Sequence, residues 1–173
     1  MIELREMNDS REWDGFVTSH DEANFLHSWQ WGEFHKSRDK QIIRRGVFDN
    51  GRLVGVYTGQ VEPARRGKHI EVAGGPIIDW ANKKAVKALF ADIREQAKAR
   101  ESVYVRIRPQ LEKSDKSLKL FKDLGLKPAP MYLSVELAGV LDLTKTEDEI
   151  LAGMRQRLRR ALRKAAKNDI VVE

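Results

Sequence analysis

The sequence contains no cysteine, which excludes a disulfide scaffold and any thiolate-based metal site. It has only 5 prolines in 173 residues and no Pro- or Gly-rich linker that would divide it into independent modules. No apolar run approaches the roughly 18–20 residues that a membrane-spanning helix needs. The opening MIELREMNDS lacks a basic segment followed by an apolar one, so no secretory leader is expected. A G-x-S-x-G nucleophile elbow is missing, as is a glycine-rich loop between a strand and a helix. Gly51, Gly55 and Gly59 instead fall in a hairpin and its second strand. The four histidines have neither the spacing nor the partners of a metal site. Acidic residues are absent from one stretch, Arg155 to Lys167, which carries seven basic ones.

With 41% apolar and 34% charged residues, the chain has the mixture of a soluble, cytoplasmic globular protein. The length suits one full domain with a real core. The net charge is +6, but the basic residues outside 155–167 nearly balance the acidic ones, so the excess positive charge belongs to one terminal segment.

Hydrophobic patterning predicts the order βααβββαβαβαβ, a mixed α/β (α+β) fold with a largely antiparallel sheet flanked by helices. Asp49-Asn50-Gly51 between two β-rich runs predicts a hairpin. Asp9 and Ser28 are placed to cap the first two helices, the second carrying Trp31, Phe34 and His35 on one side. KHIEVAGGPIID predicts a strand running into a Gly-Gly-Pro turn. A helix comes next over about 83–99, then the strand SVYVRIRP, then a helix over about 115–124 stopped by Gly125. The stretch YLSVELAGVLDL reads as strand-rich. Thr146-x-x-Glu149 is a capping box for a last helix expected to run to about Lys167, packing an apolar stripe of Ile150, Leu151, Met154, Leu158, Ala161, Leu162 and Ala165. IVVE then opens another strand. Residues 1–143 are expected to form one domain, and 144–173 to lead into a second.

Three features carry candidate chemistry. His35 and Lys36 beside aromatic walls suit an anion, although aromatics at helical spacing equally serve packing. Arg106 and Arg108, two apart on a strand, share one face and need partners wherever they are buried. Arg155, Arg159, Arg163 and Lys167 recur at i,i+4, a row of like charges that persists more comfortably against an anionic partner than alone. Nucleic acid is one such partner; a solvated face is another reading.

FLHSWQWGEFHKSR, GGPIID, VRIRP and VLDLTKTEDEILAGMRQRLRRALRKAAKNDIVVE, in that order and spacing, resemble the FemABX family from about residue 10 to the end. The resemblance implies two tandem acetyltransferase-like (GNAT) domains with an active cleft between them. It implies transfer of an amino acid from aminoacyl-tRNA to an amino group of a peptidoglycan precursor's stem peptide, with no cofactor and no metal. The precursor is nucleotide-linked or lipid-linked, which adds the inner face of the membrane to the expected location. By position, the resemblance makes His35 a substrate contact where relatives often have a lysine. Lys36 is adjacent to it, and Arg159 is a second phosphate contact. Arg163 extends that basic face. Arg108 occupies a slot where relatives tend to be acidic, which removes an acid/base role from it. No residue is assigned as catalytic. The chain corresponds to the first domain and the opening helix and strand of the second, so a complementing second-domain chain is a further implied partner. A coenzyme A-dependent N-acetyltransferase and a non-enzymatic nucleic-acid-binding module are the alternatives. The first is disfavoured by the missing pyrophosphate loop, the second by the lack of a base-reading platform.

Overall fold

A computed structural model describes residues 1–65, 67–130 and 141–168. It divides into two compact units, Met1–Ala129 and Pro130–Glu173.

The first unit begins with strand β1 (Ile2–Glu6) and helix α1 (Ser10–Thr18). Asp9 caps α1 by accepting from the backbone N–H groups of Arg11 and Glu12 at 2.8 and 3.1 Å. A 3₁₀ turn at Phe25–His27 precedes α2 (Trp29–Lys36), whose cap is the Ser28 hydroxyl, 3.2 Å from the Trp31 N–H. The expected second helix is thus a 3₁₀ turn plus a shorter helix, because Ser28 leaves the helical conformation to cap α2. Strands β2 (Gln41–Asp49) and β3 (Arg52–Glu62) form the predicted hairpin. Asn50 and Gly51 have φ of 47° and 82°, the two left-handed residues that a tight type I′ turn requires.

Strand β4 (Lys68–Gly74) pairs with the end of β3, while the short β5 (Ile77–Ile78) pairs with Gly55 and Val56 of β3. Between them Gly74 has φ of 74° and the Gly75–Pro76 bond is cis. Helix α3 (Lys83–Ala99) crosses to β6 (Ser102–Pro109), which runs parallel to β4. Helix α4 (Asp115–Asp123) ends as predicted at Gly125, whose φ is 76°. The path across the sheet is β1-β2-β3-β4-β6, antiparallel except for the last pair.

Alternation along the strands separates two faces. Ile43, Val47, Tyr57, Val61, Ile70 and Val72 pack against Ala85, Val86, Leu89, Phe90, Ile93 and Ala97 of α3. Each fully buried large side chain here contributes about 1.5–3 kcal/mol. That face also holds a polar tie. Asp92 of α3 accepts from Arg45 Nε at 3.0 Å, Arg45 Nη2 at 2.5 Å and the Tyr57 hydroxyl at 2.6 Å. On the other face Met7, Trp13, Val17, Phe48, Val56 and Ile77 form a smaller core beneath α1.

The second unit contains α5 (Glu147–Gly153) and α6 (Gln156–Ala166). Thr146 and Glu149 form the predicted capping box, with the Thr146 N–H 2.9 Å from Glu149 Oε2. The single helix expected from here to Lys167 is instead two. Gly153, a weak helix former, precedes Met154 at φ −79°, ψ 150° and Arg155 at ψ 144°, both extended. The break takes Arg155 out of the i,i+4 row and separates the apolar positions of α5 from those of α6. No residue of either helix is buried, in contrast to the packed stripe expected. Most of YLSVELAGVLDL and all of IVVE lie outside the described residues.

Candidate functional site

The sheet face opposite α3 carries a concentration of polar side chains. Parallel and antiparallel register place Gln60 beside Glu71 and Glu71 beside Arg106. They also place Glu62 beside His69, His69 beside Tyr104, and Ala73 beside Arg108. The rings of His69 and Tyr104 stack with centroids 4.7 Å apart. Lys40 Nζ pairs with Glu62 Oε2 at 2.5 Å, and Gln60 Nε2 donates to Glu62 Oε1.

Helix α2 is fixed over this face by Arg44, only 4% exposed. Its Nη1 donates to Glu33 Oε1 and its Nη2 to the Trp29 carbonyl, both at 2.8 Å. The guanidinium also lies 3.8 Å from the centre of the Trp29 ring. A Cβ on Gly32 would collide with that guanidinium, so the glycine of W-x-W-G is the residue that lets α2 come this close. Bidentate bonding and stacking together require arginine rather than lysine.

Between α2 and the sheet lies a cavity of about 30 Å³, whose lining includes Trp31, His35, Thr58, Gln60, Glu71 and Ala73. Glu71 Oε2 is buried and accepts no hydrogen bond among the described residues; Arg106 Nη1 is 3.8 Å away. Burial pushes the Glu71 carboxyl above its usual range, with Arg106 and Arg108 pulling the other way. Burial likewise holds the imidazoles of His35 and His69 below their usual pKa, the latter helped by Arg106. His27, buried beneath the Gly-Gly-Pro turn, is depressed by burial too. Its Nδ1 accepts from the Asn24 N–H at 3.0 Å, and a Cβ on Gly74 would stand 3.1 Å from its ring.

The helix separates the two adjacent residues of the expected anion site. His35 turns to the cavity, edge-on to Trp31 with ring centroids 4.8 Å apart. Lys36 turns outward and pairs with Glu33 at 3.1 Å. Arg106 and Arg108 do share a face, as their spacing predicts, and both act on Glu71. Arg159 and Arg163 occupy successive turns of α6 in the second unit, with Arg163 Nε 3.4 Å from the Arg159 carbonyl. Sequence reasoning missed Arg44 and Glu71. The alternation in HIEVA was the available signal, since it sets Glu71 opposite the apolar face. No cluster of metal-ligating residues occurs among the described residues.

Residues 9–122 match the FemAB family. The chain is 28% identical to the lipid II:glycine glycyltransferase of Staphylococcus epidermidis, over 98% of its own length and 44% of that protein. To the Staphylococcus aureus protein of the same name it is 27% identical, over 95% and 42%. Among solved structures FemX superposes with a TM-score of 0.75 at 27% identity, over 99% of this chain and 45% of that one. A ribosomal-protein-alanine N-acetyltransferase from Brucella melitensis superposes at 0.56 with 16% identity, a likeness of fold alone. The sheet and its helices are therefore GNAT-like, and the chain spans under half the length of the curated relatives it matches. With its family match covering most of the first unit, the chain belongs to the FemAB family.

Proposed function

We propose that the chain is the precursor-binding part of an aminoacyltransferase of peptidoglycan interpeptide-bridge formation. In the complete reaction a stem-peptide amine attacks the ester of an aminoacyl-tRNA. The new C–N bond replaces the C–O bond to the ribose, and the amine's proton passes to the released hydroxyl. The ester is already activated, so the protein's task is to position two large anions and to manage one proton.

The observation that carries this reading is the likeness to glycyltransferases over nearly the whole chain. The charge layout supports it. Lys36 is 45% exposed at the end of α2, and Arg159 and Arg163 stand on an α6 that has no acidic residue. We assign Lys36 and Arg108 on the first unit and, independently, Arg159 and Arg163 on the second to anionic groups of the substrates. His35, kept neutral by burial, contributes hydrogen bonding rather than charge. Aminoacyl-tRNA and a second GNAT-like domain, begun by residues 144–173, are the remaining partners in this scheme. The cytoplasm, or the inner face of the membrane for a lipid-linked precursor, is where it operates. No helix among the described residues is long and apolar enough to cross a membrane.

Calorimetric titration with a UDP-linked muropeptide tests the proposal. Binding that weakens in Lys36→Ala supports it. Absence of binding, both by this chain and by a version extended or complemented with a second domain, refutes it.

A further inference from the structure

The cavity beneath α2 is the wrong size for the substrate's large parts. About 30 Å³ holds one or two waters, not a phosphate and its sugar. Its chemistry is also the wrong sign for an anion. Neither Lys nor Arg is among its lining residues, and His35 is held neutral. The one formally charged side chain there is Glu71, with a buried oxygen that accepts no hydrogen bond among the described residues. Buried acceptors without partners are rare in folded proteins and call for a water, an ion or a ligand.

Two further acceptors lie on the same wall. Gln60 commits its amide nitrogen to Glu62, which leaves the amide oxygen as its free function. Thr58 adds a hydroxyl, and Trp31 an aromatic ring. A primary ammonium has three N–H donors and no acceptor, is the size of a water, and is attracted to aromatic faces.

We propose that this cavity seats a primary ammonium group, the acceptor amine of the transfer, with Glu71, Gln60 and Thr58 as its hydrogen-bond acceptors. The assignment rests on the reading of the chain as the precursor-binding part of an aminoacyltransferase. Arg106 Nη1, 3.8 Å from Glu71 Oε2, is outside hydrogen-bond range and does not satisfy the carboxylate.

The test is a nitrogen-15 NMR titration with N-acetyl-lysine methylamide and, in parallel, with its Nε-acetylated form. The free amine is expected to shift the amides of Thr58, Gln60, Glu71 and Ala73. The Nε-acetylated form leaves them in place, and Glu71→Gln weakens the free amine at least about tenfold, as loss of a charged hydrogen-bond partner does. A native-like spectrum of Glu71→Gln confirms that the variant is folded. Equal shifts from both probes, no shifts from either, or undiminished binding by Glu71→Gln overturns the assignment.

A UDP-linked muropeptide separates this assignment from the broader reading. If it binds equally well with its side-chain amine free or acetylated, the ammonium seat is wrong and the functional reading stands. If it does not bind at all while the lysine probe still reports on Glu71, the functional reading fails, and with it the acceptor role, while the cavity remains an ammonium site.

Discussion

The guanidinium of Arg44 occupies the space that a side chain at position 32 would need, so Gly32 and Arg44 are one packing unit. Gly32→Ala gains up to about 1 kcal/mol of helix propensity. It must displace a buried arginine held by the Trp29 carbonyl and Glu33, and overpacking of this kind costs about 1–3 kcal/mol. The expected outcome is net destabilisation, measured by urea unfolding. A more stable Gly32→Ala variant would show that Arg44 relocates freely and that α2 is not set by this contact.

Acidification is expected to destabilise the fold in the range where free histidine titrates. The folded pKa values of His27, His35 and His69 are all depressed, so below about pH 6.5 the unfolded chain binds protons that the folded chain refuses. Stability is then lost as pH falls through the unfolded value, at up to about 1.4 kcal/mol per pH unit for each histidine. Glu71 has the opposite sign. Its folded pKa is raised, so protonation in the lower window favours the folded state. Urea unfolding across this range, repeated with His35→Phe, should show a shallower dependence in the variant.

Glu71→Gln is expected to stabilise the protein at neutral pH, because an ionised carboxylate that burial disfavours is replaced by a neutral isostere. A gain of about 1 kcal/mol corresponds to roughly 2–4 °C in Tm for a chain of this size. A lower Tm would mean that the pairing with Arg106 outweighs the cost of burial.

Local chemistry made much of the fold legible. Asn50-Gly51, the caps at Asp9, Ser28 and Thr146, and the apolar stripe of α3 are each decided by residues within a few positions of one another. The division of the last helix was not legible. The helical period that follows the capping box continues across Gly153, and a single glycine does not by itself end a helix. The site was harder still. Arg44 in QIIRRG looks like any solvated charge, and its burial depends on a glycine 12 residues earlier. Glu71 and Arg106 meet only through the parallel pairing of β4 with β6, which no local pattern specifies. His35 and Lys36 read as one site because they are adjacent, yet a helix turns neighbours about 100° apart.

Substitution of the exposed Arg163 by alanine is expected to leave stability within about 0.5 kcal/mol. Arg159 is part-exposed, with a buried Nε that has no hydrogen-bond partner among the described residues, so its removal also frees that unpaired group. Under the proposed function each weakens muropeptide binding, and the loss narrows at high salt as screening removes the charge contribution. Thermal unfolding and calorimetry at two ionic strengths check both halves. Unchanged affinity in the double variant would remove α6 from the binding surface.

Asp92 bonds to Arg45 on β2 and to Tyr57 on β3, so a helix and two strands share one polar anchor inside an apolar layer. Freeing α3 alone would strand a carboxylate, a guanidinium and a phenol together, a larger penalty than fraying either end of the helix. Local opening on this side of the sheet is therefore cooperative. In hydrogen exchange, the amides around Asp92, Arg45 and Tyr57 should report one common opening free energy, and Asp92→Ala should split it into separate, lower ones.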